Sequence, residues 1–275
     1  MKLQRAPRRN IASRAFSLLE LMVALGLFLI ICAVAFEMLL SAMKRYHDDS
    51  QLLNSFQEAR FGLDQMVRDI NDAGYPSRNQ YQSSVTPAVN LYAATAVAWS
   101  GTSYPNTPCI IGTNCNTPNG FDIIVETDPT PNQAGHGVEW IRYKLVGTTL
   151  YRGAIFKSNS PSADPDALTS GADVLVPYVQ NVMNNPPAAQ LAALQVVYPA
   201  MYPGGNPVPV FQYFCESVPQ PLDCTGAAGT PTTNDPTHVV SVIVTLIVQA
   251  PTTEMQTGVP RVVQLKGEGR RLNPD

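Results

Sequence analysis

The chain has 275 residues, 14% of them charged, with 18 basic and 21 acidic side chains. Five of the basic groups, Lys2, Arg5, Arg8, Arg9 and Arg14, fall in the first 15 residues without a single acid, so the remaining 260 residues hold 13 basic against 21 acidic groups, a formal charge of −8. A body so acidic excludes a general phosphate-binding surface, and no nucleic-acid partner is expected for it.

Behind this basic leader lies an apolar run over residues 16–36, interrupted by Ser17 and Glu20. Its 21 residues match the roughly 20 that a helix needs to cross a bilayer core. The basic flank is expected to stay cytoplasmic. A secretory signal would end in small residues after such a run, and nothing of that kind follows Phe36. The pattern breaks lie before it instead: small Ala15, then Phe16, then a carboxylate at the fifth position counted from Phe16. A carboxylate entering hydrocarbon costs several kcal/mol unless it is neutralised or paired, although one at the headgroup level needs no partner.

The helical pattern continues past Phe36 but becomes one-sided, with Leu52, Phe56, Ala59, Leu63, Met66 and Ile70 spaced by threes and fours. No proline occurs between Arg8 and Tyr75, and Gly74 and Pro76 supply a stop. A single helix from Phe16 to about Ala73 is predicted, about 85 Å long at 1.5 Å per residue. Two helices with a break at 41–49 are the alternative. From Pro76 onward the composition turns to strand and loop, with 23 of the 24 prolines. Strands are predicted at 121–127, 138–146, 150–156, 173–179, 208–214, 239–249 and 261–265. The segment 138–152 reads as a hairpin turning at Gly147. The β-branched segment 239–249 reads as a central strand packed on the amphipathic half-helix. The fold class is therefore α+β: a long N-terminal helix, transmembrane then amphipathic, packed on an antiparallel sheet domain with long loops at 81–119 and 158–171.

Of the five cysteines, Cys32 lies in the apolar run and four lie in the body. With the body outside the cytoplasm these four are expected to be oxidised, and they allow three pairings. The local pairs Cys109–Cys115 and Cys215–Cys224 are favoured because each closes a short loop rich in turn formers. Zinc is the rival reading, without histidines nearby or C-x-x-C spacing in its support. His47, His136 and His238 belong to no catalytic signature, so neither enzyme activity nor a cofactor is expected. Asp164, Asp166 and Asp173 are hard oxygen ligands that calcium accepts, but their spacing is not an EF-hand loop.

Two matches then coincide. Phe-Ser-Leu-Leu-Glu-Leu-Met-Val-Ala at 16–24, directly after a small residue and a basic leader, resembles the class III signal of type IV prepilins. The segment 58–75, Glu-Ala-Arg-Phe-Gly-Leu-Asp-Gln-Met-Val-Arg-Asp-Ile-Asn-Asp-Ala-Gly-Tyr, is similar to the minor pilins of the PilW type and the J-type pseudopilins of type II secretion. Residues 13–75 carry the resemblance. The family usually has Gly before the cut, where this chain has Ala15. The resemblance implies cleavage between Ala15 and Phe16 by a prepilin peptidase, N-methylation of Phe16, and pairing of Glu20 with the terminal amine of a neighbouring subunit. It also implies a leader at 1–15, a transmembrane half-helix at 16–37, an amphipathic half at 38–75 and a β-rich extracytoplasmic domain at 76–275. The expected setting is the bacterial inner membrane, crossed once, with lipid, an assembly platform and other major and minor pilins as partners. The expected role is a non-enzymatic minor subunit that initiates or caps a pilus or pseudopilus. A pilus-associated adhesin or DNA-uptake subunit is the alternative.

Overall fold

The computed structural model describes residues 17–76, 95–101, 104, 107–130, 137–158, 163–217, 220–225, 234–253 and 260–270. One helix, α1 (Leu18–Asn71), runs unbroken for 54 residues. The break considered at 41–49 does not occur, since Ala42, Met43, Lys44 and Arg45 are strong helix formers. The helix ends at Asn71, and the chain turns away at Gly74, whose φ of 83° is easy for glycine and whose N–H donates to the Glu126 carbonyl at 2.8 Å.

The chain forms two compact units, Met1–Ser50 and Gln51–Asp275. This boundary falls inside α1, between the expected divisions at 37/38 and 75/76. The physical reason is that the helix residues with core contacts, Ala59, Leu63, Met66 and Ile70, all lie beyond it. In the first unit the apolar side chains point outward; Phe28 is 61% exposed and Ile31 67%.

The second unit holds two antiparallel sheets packed on the end of α1, the α+β class expected. Strands β1 (Val97–Ala98), β2 (Asp122–Thr127), β3 (Glu139–Val146), β4 (Thr149–Phe156) and β5 (Val176–Val179) form the first, in chain order. Strands β6 (Phe211–Cys215), β7 (Leu222–Asp223), β8 (Val239–Thr253) and β9 (Pro260–Arg270) form the second, in the order β7-β6-β8-β9. A short helix α2 (Pro165–Thr169) lies between β4 and β5, and a longer α3 (Ala188–Val197) lies on the connection from the first sheet to the second. The predicted hairpin is present: β3 and β4 pair from Glu139↔Phe156 to Val146↔Thr149 around Gly147 at φ 59°. β8 lies inside its sheet, and its Val242, Val244, Leu246 and Val248 share one core with the helix residues Ala59, Leu63, Met66 and Ile70.

Several strand limits differ from expectation. β5 starts at Val176 because Gly171 closes a turn with Val174 and Leu175. β6 starts at Phe211, after Pro207 and Pro209, which have no N–H to offer a ladder. β9 continues past Leu265 to Arg270 in spite of Gly267 and Gly269. A Cβ built at Gly267 meets Val67 Cγ2 at 2.9 Å, and one at Gly269 meets Ile70 Cγ2 at 2.5 Å, so the bare strand is what lets α1 approach. Gly62 does the same from the helix side, where a Cβ would meet Val179 Cγ2 at 2.4 Å. The second sheet carries α3 on its other face, with Leu191 and Leu194 packed on Ile247 and Val262.

Candidate functional site

Ala15 and Phe16 lie outside the described residues, as do the leader and His136. The first described turn begins at Ser17, whose hydroxyl accepts from the Glu20 N–H at 3.2 Å and whose carbonyl accepts from Leu21. Glu20 is thus an exposed carboxylate in the first turn of α1, where the helix dipole favours negative charge. It stands on one helix face with Val23, Ala24 and Leu27. Beyond it the helix is long and apolar enough to cross a membrane, and that stretch is not buried by protein. These features fit a single-pass membrane protein.

Among the described residues, the buried charged groups of the second unit are consumed by three internal networks. In the first, Asp69 of α1 accepts from Gln65 Nε2 at 2.7 Å, from the Tyr143 hydroxyl at 2.5 Å and from Arg152 Nη2 at 3.0 Å, fastening the helix to β3 and β4. Burial, with the Asp69 charge added, pushes the Tyr143 phenol well above its ordinary value. In the second, Arg142 is fully buried and held by Asp122 and by Asp166 of α2. In the third, buried Glu126 accepts from Thr95 N at 2.7 Å, Trp140 Nε1 at 2.7 Å, Lys157 Nζ at 2.9 Å and the Tyr104 hydroxyl. Each carboxylate is satisfied by donors, which keeps it occupied within the fold. None of these networks was foreseen from sequence, because apart from Gln65–Asp69 their contacts to the carboxylates join residues 14 to 83 apart.

Among the described residues, the polar groups named from sequence do not gather into a metal-binding set. Asp164 caps α2 through the Asp166 N–H, and Asp166 pairs with Arg142, so the calcium idea loses two of its three ligands. His238 pairs with Asp235 at 3.0 Å. Burial works to raise Asp235, but hydrogen bonds from Thr237 and His238 hold its carboxyl below the usual range. Among the described residues no group of three or more His, Cys, Asp and Glu side chains could hold a metal ion.

The body cysteines are joined as Cys109–Cys115 and Cys215–Cys224, and Cys32 is free. The two bridged loops, a hundred residues apart in sequence, come together: a Cβ at Gly112 would lie 3.0 Å from Thr225 Cγ2. Below them is a groove of about 630 Å³ floored by the second sheet. Thr113 and Cys115 line it from one loop, Asp223 and Thr225 from the other, and Gln264 and Lys266 from β9. Sequence reasoning had located the loops and the bridges but not their convergence, which no short-range pattern encodes.

No protein-family model matches the chain, and no curated protein or solved structure matches it either.

Proposed function

We propose that this chain is a minor pilin or pseudopilin, a non-enzymatic subunit that a prepilin peptidase cuts before Phe16 and that helps to initiate or cap a type IV pilus or a type II secretion pseudopilus. The observation that carries the reading is one helix with two solvation regimes behind the 16–24 motif. Its first part is apolar and unburied, with Glu20 in the opening turn, and its last part is the spine of a two-sheet domain. A subunit stored in a membrane and then drawn into a fibre needs such a helix, since lipid and neighbouring helices solvate the same side chains. Glu20 supplies the register: buried among neighbours, its carboxylate is stabilised where it meets the new amine at Phe16 of the adjacent subunit.

In this reading the domain lies in the periplasm or outside the cell, which the two disulfides support, since such bonds persist in oxidising compartments. The partners are the peptidase, the inner-membrane assembly platform and the other major and minor pilins. The size of the domain, built from residue 51 onward, suits a terminal position better than a repeated one. The groove under the disulfide loops favours a second reading, a pilus-associated binding subunit.

The test is the N-terminal residue and mass of the protein from cells with and without prepilin peptidase. A start at methylated Phe16 that depends on the peptidase is expected. An intact Met1 in both strains, with other prepilins processed, would overturn the proposal.

A further inference from the structure

The groove under the bridged loops has the size of a small-molecule site, for which roughly 300–1,000 Å³ is usual. Its rim is cross-linked. Two disulfide loops brace each other at Gly112 and Thr225, and the Ile111 N–H donates to the Asn234 carbonyl at 2.9 Å. The floor is a ladder in which Thr245 of β8 stands opposite Lys266 of β9 and donates its N–H to Val210 beside β6. β6 and β8 are interior strands of that floor, with their backbone groups largely spent, while β9 forms its edge, so over β6 and β8 recognition falls to side chains.

Those side chains are chemically specific. Gln212 and Gln264 bring amides to the lining and Thr113, Thr225 and Thr245 hydroxyls, while the Asn119 amide is held by the Asn116 carbonyl and the Phe121 N–H. Gln212 Nε2 donates to Asp223 Oδ2 at 2.6 Å, and Asp223 Oδ1 accepts from the Thr225 N–H at 2.8 Å and its hydroxyl at 2.7 Å. This planar amide and carboxylate are thereby oriented in advance, and planar groups of this kind engage adjacent hydroxyls two at a time. The lining includes one ammonium, Lys266, and one carboxylate, Asp223, so the charges cancel and a polyanion finds no match. Val208 and Pro209 give an apolar wall against which the C–H face of a ring can lie.

We infer that this groove binds a short, neutral, hydroxyl-rich ligand of the oligosaccharide class. The site stands on its own geometry and does not depend on the pilin reading. An uncleaved chain that binds sugar would leave the site in place while the pilin reading fell.

The experiment uses the full chain in a sugar-free zwitterionic detergent, titrated with chitotetraose, maltotetraose and cellotetraose by calorimetry. Gln264 is exposed on β9, so Gln264→Trp fills the groove without entering the core; Gln212→Ala removes the oriented amide. Saturable binding of at least one tetrasaccharide is expected, weakened at least tenfold in both variants, with the melting temperature of Gln264→Trp unchanged. Silence toward all three sugars overturns the inference. So does binding indifferent to Gln264→Trp, or stronger binding of tetragalacturonate or of an uncharged extended peptide.

Discussion

Residues 18–50 and 51–71 belong to one helix and meet opposite surroundings. In the first part Leu25 and Leu29 are each 59% exposed; in the second Ala59 and Met66 are fully buried. The backbone is the same in both, because a helix satisfies its own N–H and C=O groups in lipid or in protein alike. The side-chain pattern makes the difference. Apolar residues all round suit a continuous apolar medium, whereas apolar residues every third and fourth position suit a sheet on one side. Polar anchoring differs as well: Glu20 is exposed in the opening turn, while Asp69 is buried in a three-donor clamp.

The largest expected effect tests that clamp. Asp69→Ala leaves Tyr143 and Arg152 without their acceptor under the helix, and losing one partner of a buried ion pair costs about 3–5 kcal/mol. With Arg152 28% exposed the lower end is expected, about 3 kcal/mol. Denaturant melts of the second unit, followed by near-ultraviolet circular dichroism, measure it. A loss under about 1 kcal/mol would mean that apolar packing alone seats the helix.

How much of this contrast was legible follows from range. The helix was readable because its signals are local: threes and fours from Leu52 to Ile70, no proline, and Gly74 at the end. β8 was readable because ten consecutive residues from Val239 are rich in β-branched types. The hairpin was readable from Gly147 between two alternating runs. α3 was not, since its Ala-rich, uncharged sequence has no capping side chain at Pro187 to announce it. The end of β9 was missed because Gly267 and Gly269 weaken a strand by local rules and become favourable only when α1 lies against them. The buried networks and the groove were missed for the same reason: Glu126 with Lys157, or Gly112 with Thr225, become neighbours only through the assembled sheets.

A smaller effect sharpens the contrast by pH. Burial raises the phenols of Tyr143, Tyr202 and Tyr213, all in the second unit. An unfolded tyrosine ionises near pH 10, while these stay protonated in the fold, so above that pH the unfolded chain binds fewer protons and stability falls. Below about pH 9 they contribute no slope. Each can remove up to about 1.4 kcal/mol per pH unit in that alkaline window. Tyr202→Phe, which deletes the hydrogen bond to the Met183 carbonyl, is expected to cost about 1 kcal/mol at neutral pH and to flatten the alkaline loss. Melts from pH 8 to 11 on both proteins check it; an unchanged alkaline slope would mean that Tyr202 is wet.

The smallest expected effect lies in the other part of α1, and it is the one that can break the contrast. Leu29 makes no core contact, so Leu29→Ala removes apolar surface from solvent or lipid rather than from packed protein. The melt of the second unit is therefore expected to move by less than about 0.5 kcal/mol, while partitioning into bilayers weakens by roughly the same amount. Because a core leucine costs about 2–5 kcal/mol on the same truncation, the measurement separates the two surroundings by a wide margin. A shift above about 1 kcal/mol in the detergent-held monomer would place Leu29 against protein, and the first part of the helix would then be a second packing spine rather than a surface solvated from outside.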